Sequence, residues 1–227
     1  AFSPKDNGGD IVETALLLQG LLAVRQYFDS SDPVETAIRN GIGNIWKTVE
    51  WNWYTNGKDV LYWHWSPDFG WEMNLPVSGW NEGLIVYVLA ASSPTYPIDR
   101  EVYDRGWARD GAMANGSKYF NLELPLGPDY GGPLFFAQYS FLGLDPRGLS
   151  DSYADYWKQN VAQTKINYKY CVENPKGWSG YGRNVWGLTA SDIPGGYAAS
   201  SPTEDYGTIA PTAALSSFPY TPAESMN

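Results

Sequence analysis

Asp10 and Glu13 fall three residues apart in Asp6-Asn7-Gly8-Gly9-Asp10-Ile11-Val12-Glu13-Thr14, at the start of an apolar run. As a helix, that spacing puts both carboxylates on one face of the first turn, where unpaired backbone N–H groups and the macrodipole favour negative charge. Gly8 and Gly9 remove side chains just before the acids, so that a second molecule could come close to the backbone. The set suits a carboxylate site at the mouth of a cavity. It suits a structural role equally, with Asp10 as an ordinary N-cap or first-turn residue. Glu82, in Trp80-Asn81-Glu82-Gly83, repeats the placement: an acid in the first turn of a second apolar helix, expected over 80–92.

Aromatic residues suggest what such acids would meet. Charged residues make up 18% of the 227-residue chain and aromatics 16%, with 11 Trp and 17 Tyr, so rings are nearly as common as charges. Trp and Tyr join a flat apolar face to a hydrogen-bonding edge, and a surplus beyond core needs supplies stacking surfaces. Sugars fit them, laying C–H faces on rings while hydroxyls bond Asp, Glu, Asn and Arg. The formal net charge of −10, with no basic stretch, disfavours nucleic-acid phosphates and anionic membranes and leaves a neutral ligand as the easier partner. Cys171 is the lone cysteine and His64 the lone histidine, so no internal disulfide and no Cys/His zinc pattern is available, and no metal or cofactor is expected. Tyr62-Trp63-His64-Trp65-Ser66 alternates like a strand, which makes His64 a packed or ligand-lining imidazole rather than a base. The sequence has no transmembrane segment, since no apolar span reaches about 20 residues.

The elements that must position these residues are mainly helical. Ile11, Ala15, Leu18 and Leu22 recur at helical spacing through Phe28, with Leu16, Leu17 and Leu21 on other faces, so this helix should be buried nearly all round. Asp32-Pro33-Val34-Glu35 is a helix start that makes an antiparallel hairpin with the first helix. Asn56-Gly57, between aromatic runs at 51–54 and 60–65, predicts a small β-hairpin inserted between helices. An irregular loop follows over 66–72, a short strand or extended loop at 119–126, and helices from Leu134 and from Ser150-Asp151-Ser152. The Gly-, Ser- and aromatic-rich stretch 174–205 reads as an ordered, ligand-facing loop, with Asp205 capping a helix that starts at Gly207. Thr221-Pro222-Ala223-Glu224 reads as another helix start. The expectation is one domain, 1–227, cut from a longer helical protein and lacking flanking helices at both ends.

Taken together, Asp10-Ile-Val-Glu13-Thr-Ala, Ser66-Pro-Asp-Phe-Gly-Trp-Glu72, Trp80-Asn-Glu82-Gly, Ala91-Ser-Ser-Pro-Thr-Tyr-Pro97, Asn184-Val-Trp-Gly-Leu-Thr-Ala-Ser-Asp192 and Gly207-Thr-Ile-Ala-Pro-Thr-Ala-Ala214 resemble the glucoamylase-like family of bacterial glycoside hydrolases, which includes endo-β-1,2-glucanases. The resemblance runs in order over almost the whole chain. It implies an all-α fold, an (α/α)6 toroid of which this chain is the central portion, with helix termini and long loops around a pocket. It also implies a glycoside hydrolase that cleaves a β-glucan, β-1,2-linked by preference, through paired carboxylates and without a cofactor. Asp6, Asp10, Glu13 and Glu82 fall on acidic positions that resemble the family's substrate-binding and catalytic carboxylates, Glu82 being the general acid. Such an acid needs a raised pKa, which burial among carboxylates provides. The second carboxylate that hydrolysis requires is expected beyond this chain, with Asp10 or Glu13 as the fallback.

For sugar binding the resemblance assigns stacking to Trp65, Trp71, Trp80 and Trp186, each with core packing as its alternative, and hydroxyl contacts to Arg183 and Asn184. Asp68, Glu72 and Asp192 are subsite acids or loop caps. The expected partner is a neutral oligo- or polysaccharide, not nucleic acid, and the expected location is periplasmic or extracellular in a bacterium. Two other readings stay open: a non-catalytic glycan-binding protein, and an exo-acting glucoamylase-type hydrolase on α-glucan.

Overall fold

In the computed structural model, which describes residues 7–226, the chain forms two compact units. The first holds the described residues up to Gly79, then Gly83–Ala112 and Leu142–Leu144. It opens on strand β1 (Gly9–Asp10) and passes straight into helix α1 (Ile11–Tyr27). Helix α2 (Pro33–Thr48) starts as its sequence dictates: Asp32 accepts hydrogen bonds from the Val34 and Glu35 amides, and Pro33 sits in the first turn. Helix α1 buries Ile11, Val12, Ala15, Leu18 and Gln19, while Leu17, Val24 and Tyr27 are exposed. The all-round burial expected of it is therefore absent. Within this unit α1 packs against α2 and α3 and is covered on one side only.

The predicted aromatic hairpin does not form. Trp51–Thr55 is instead a 3-10 helix, closed by Asn56 and Gly57 at φ 47° and 68°. A left-handed Asn-Gly pair ends a short helix as readily as it turns a hairpin. Strand β2 (His64–Trp65) pairs antiparallel with β1, matching Gly9 to Trp65 and Asp10 to His64. Helix α3 (Leu84–Ser92) lacks any charged residue and buries Leu84, Ile85, Val86, Tyr87, Leu89 and Ala90. The Tyr87 hydroxyl donates to the Val77 carbonyl at 2.7 Å and accepts from the Leu61 amide at 3.1 Å, pinning the loop between them. A π-helical turn, Val102–Trp107, brings Gly106 so close that a Cβ there would lie 2.7 Å from the Asp59 carbonyl oxygen.

The second unit comprises Trp80–Glu82, Met113–Phe141 and the described residues from Asp145 onward. Strands β3 (Lys118–Tyr119) and β4 (Leu122–Glu123) form a hairpin turned by Phe120 and Asn121, both at positive φ. Short 3-10 turns occupy Leu134–Ala137 and Tyr139–Leu142, where an α-helix is predicted. Helix α4 (Tyr156–Glu173) is capped by Asp155, whereas Asp151 bonds the Tyr153 and Ala154 amides in the preceding turn. The stretch expected to be irregular contains a second hairpin, β5 (Ala190–Ile193) with β6 (Gly196–Ala199). Helices α5 (Pro211–Ser216) and α6 (Pro222–Ser225) are short, α5 starting at its proline rather than at Gly207.

The core of this unit gathers Leu134, Tyr170, Cys171, Trp186, Leu188 and Ala213. The described part is mostly helical, with three two-stranded sheets, and no described helix is long and apolar enough to cross a membrane.

Candidate functional site

Asp10 is the N-cap of α1, in extended conformation at φ −107° and ψ 112°. Its Oδ1 accepts hydrogen bonds from the Val12 and Glu13 amides, both at 2.9 Å, and its Oδ2 accepts from the Trp63 indole at 3.1 Å. The carboxylate thus completes the helix start and holds an aromatic residue 53 positions away. Glu13, one turn into the helix, is exposed, and its carboxylate bonds no group among the described residues. Sequence spacing placed this pair correctly on one helix end. Asp6 lies outside the described residues.

Gly8 and Gly9 serve a different purpose from the one expected. A Cβ at Gly8 would stand 2.0 Å from the Trp65 carbonyl oxygen, and one at Gly9 would stand 2.0 Å from the Tyr54 hydroxyl. The bare backbone admits the protein's own strand and phenol, not an outside molecule. Burial, and secondarily the charge of Asp10, raises the pKa of Tyr54, so its hydroxyl stays protonated.

An aromatic array surrounds this end of α1. Trp53 meets Trp65 edge-on at 6.3 Å and leans on Trp71 at 6.1 Å. Trp71 is braced from its other sides by Tyr54 at 5.7 Å and Tyr62 at 6.0 Å. Trp65 and Trp71 are half-buried and keep surface for a ligand, while His64 is buried. Ser66 donates to Asn7 and also accepts from the Asp68 and Phe69 amides, and Asn7 in turn donates to Asp68. Asp68 therefore braces the loop, and Glu72 is exposed beside it. Sequence reasoning missed Trp53, Tyr54 and Trp63 because it read 51–54 and 60–65 as the two strands of a hairpin. Only the fold reveals that Trp63 reaches Asp10.

Glu82 belongs to the second unit, where the segment Trp80–Glu82 precedes α3 instead of forming its first turn. The side chain is half-buried, and its main-chain carbonyl accepts a hydrogen bond from the Ser140 hydroxyl. Trp80 donates its indole N–H to Gln163 at 2.7 Å and stacks on Tyr156 at 6.1 Å. Its ring also fills the space where a Cβ on Gly127 would fall, 2.6 Å away. Gln163 donates onward to the Gly131 and Pro133 carbonyls, and Gln159 bonds both the amide and the carbonyl of Leu126. Buried amides on α4 thus satisfy the main chain of an irregular loop, which in turn fixes the segment bearing Glu82.

The structure corrects two of the predicted stacking residues. Trp80 is 5% exposed and Trp186 is 3% exposed, and Trp186 packs on Tyr168 while donating to the Glu224 carbonyl at 3.3 Å. Both are packing residues, with their indole N–H groups committed inside the protein. Arg183 and Asn184 are exposed, Arg183 on a hollow of about 850 Å³ with Phe120, Tyr130 and Tyr168, and Asn184 on a smaller one of about 230 Å³. Asp192 is exposed on the β5–β6 hairpin. Asp205 caps no helix. It is buried, accepting from the Tyr181 hydroxyl at 2.7 Å, the Gly207 amide at 3.0 Å and the Tyr170 hydroxyl at 3.1 Å. Among the described residues no group of three or more His, Cys, Asp or Glu is placed to hold a metal ion.

Comparison with known proteins bears on the whole chain. Residues 74–227 match the Glycoamylase family, described as "Putative glucoamylase". An exo β-1,2-glucooligosaccharide sophorohydrolase of Parabacteroides distasonis is 50% identical over 99% of this chain and 34% of its own length. A "putative glucoamylase" from Bacteroides uniformis superposes with a TM-score of 0.97 and 56% identity, over 99% of this chain and 55% of that one. The endo-β-1,2-glucanase of Chitinophaga pinensis, solved with sophorotriose and glucose, gives a TM-score of 0.95 and 53% identity over the same shares. The chain spans about half the length of these solved relatives and about a third of the curated one.

Proposed function

Because the chain belongs to the Glycoamylase family, we propose that it is part of a glycoside hydrolase acting on β-1,2-linked glucan, built on an (α/α)6 toroid and working outside the cytoplasm. The observation that carries this reading is the aromatic array at the start of α1, where Trp63 bonds Asp10, Trp65 pairs with Gly9 and Glu13 lies exposed one turn further on. Rings that keep a face open beside carboxylate oxygens supply what a neutral sugar needs, apolar area for its C–H face and acceptors for its hydroxyls. Trp65 and Trp71 are the stacking residues and Glu13 the hydroxyl acceptor. Asp10 acts by positioning, since its oxygens are engaged with the helix start and with Trp63.

In the second unit Glu82 serves as the general acid, delivering a proton to the departing glycosidic oxygen. Its main chain is anchored through Ser140, and its neighbour Trp80 is locked by Gln163, which together limit how far the carboxyl group can stray.

The test uses the protein at the full length of its gene, incubated separately with linear β-1,2-glucan, β-1,3-glucan and starch, with new reducing ends counted. Release from β-1,2-glucan is the expected result, and release from starch alone would overturn the reading. Glu82→Gln should lower kcat by about 10²–10⁴-fold while oligosaccharide binding persists. A variant of undiminished rate would remove Glu82 from the role.

A further inference from the structure

Glu50, Asn52, Trp53, Asn56, Trp71 and Tyr96 line a hollow of about 450 Å³ in the first unit. The volume falls within the range of about 300–1,000 Å³ usual for small-molecule sites. Trp53 is 52% exposed, although Trp51, two residues earlier, is fully buried. Isolated exposed rings need no explanation, but this one is held on its inner side by Trp65 and Trp71 and faces outward over a concave surface. The polar rim is unspent: among the described residues the side chains of Glu50, Asn52 and Asn56 bond no other group. Among the described residues no Lys or Arg lines the hollow, which suits a neutral ligand better than phosphate, sulfate or a carboxylate.

Position gives the hollow its meaning. The Tyr54 hydroxyl lies against Gly9 and senses the charge of Asp10, while its ring meets Trp71 edge-on. Trp71 in turn supports Trp53. One continuous aromatic strip therefore leads from the start of α1 to the hollow. Resting on the glucan reading, we propose that the Trp53 hollow is a further glucosyl-binding subsite, which grips the β-glucan unit next to the part held at Trp65 and Trp71. Trp53 offers the stacking face, and Glu50, Asn52 and Asn56 receive the hydroxyls. Its effect is to make affinity rise with chain length.

Calorimetric titration of graded linear β-1,2-gluco-oligosaccharides into the full-length Glu82→Gln protein, which holds ligand without turning it over, tests this. Adding Trp53→Ala should weaken binding of the longest oligomers by about tenfold and flatten the dependence on length, and Trp53→Phe should restore most of it. Asn52→Ala, whose side chain supports no protein group, should cost about threefold. Tyr197→Ala, which removes an exposed ring on β6, should change nothing. Unaltered affinity for long oligomers in both Trp53→Ala and Asn52→Ala would overturn the subsite while leaving the glucan reading intact. Failure of the Glu82→Gln protein itself to bind any β-1,2-oligomer, with β-1,3 and starch oligomers as parallel arms, would overturn both.

Discussion

Trp53, Trp65 and Trp71 of the first unit lean on one another with part of each ring left open, whereas Trp80 and Trp186 of the second are buried and donate their N–H groups to protein oxygens. The carboxylates divide the same way: Glu13 is exposed and bonds no group among the described residues, while Asp205 is buried under two phenols and an amide. A buried indole or carboxylate whose polar atoms are taken up by protein groups, as at Trp80, Trp186 and Asp205, is committed to holding the fold. A ring with an open face, or an acid with free lone pairs, leaves interaction unspent for a ligand. The same residue types thus build scaffold at Trp80, Trp186 and Asp205 and a candidate sugar surface around Trp53, Trp65 and Trp71.

This division is broken most forcefully at Trp80. Trp80→Ala empties a packed site and leaves the Gln163 amide oxygen with only the longer bond from Gln159, so it should lower stability by about 3–5 kcal/mol in denaturant unfolding. Trp53→Ala should lower it by less than about 1 kcal/mol. Comparable losses at the two positions would erase the distinction between scaffold and surface.

Next in size is the Asp205 cluster. Tyr181→Phe removes one hydrogen bond to a buried carboxylate and should cost about 1.5–3 kcal/mol. Burial first, and then the bond and charge of Asp205, hold the Tyr181 phenol above its ordinary pKa, and burial with the Asp205 charge does the same for Tyr170. In the unfolded chain these phenols lose protons from about pH 10, while in the folded one they keep them. Their contribution to stability is therefore complete below that pH and declines as pH rises above it. Denaturation midpoints measured across this range should fall, and Tyr181→Phe should make the fall shallower.

The smallest effect belongs to Cys171, whose thiol is pushed up to about 12 by burial in the second unit's core. It should resist alkylation in the native protein at neutral pH and react only on unfolding, as mass spectrometry would record.

Local sequence was a good guide wherever one short stretch supplies its own physics. Asp10 and Asp32 cap helices because a side-chain oxygen two or three residues away meets unpaired amides, and the charge-free run of α3 buries itself whatever its neighbours. Asn56-Gly57 was legible as a left-handed turn but not as the end of a 3-10 helix, because that depends on β2 taking β1 as its partner. The motif order, too, marks the family from sequence alone.

Tertiary structure decided what each tryptophan and each acid is for. The oxygen that commits Trp80 to packing is 83 residues away on α4, and the indole that engages Asp10 is 53 residues away. The buried glutamines of α4 look like surface residues by type and are interior because irregular loops need partners for their main chain. Residue type sets which bonds a side chain can make. Whether those bonds are used up inside the protein or left for a ligand depends on distant atoms that only the folded chain brings within reach.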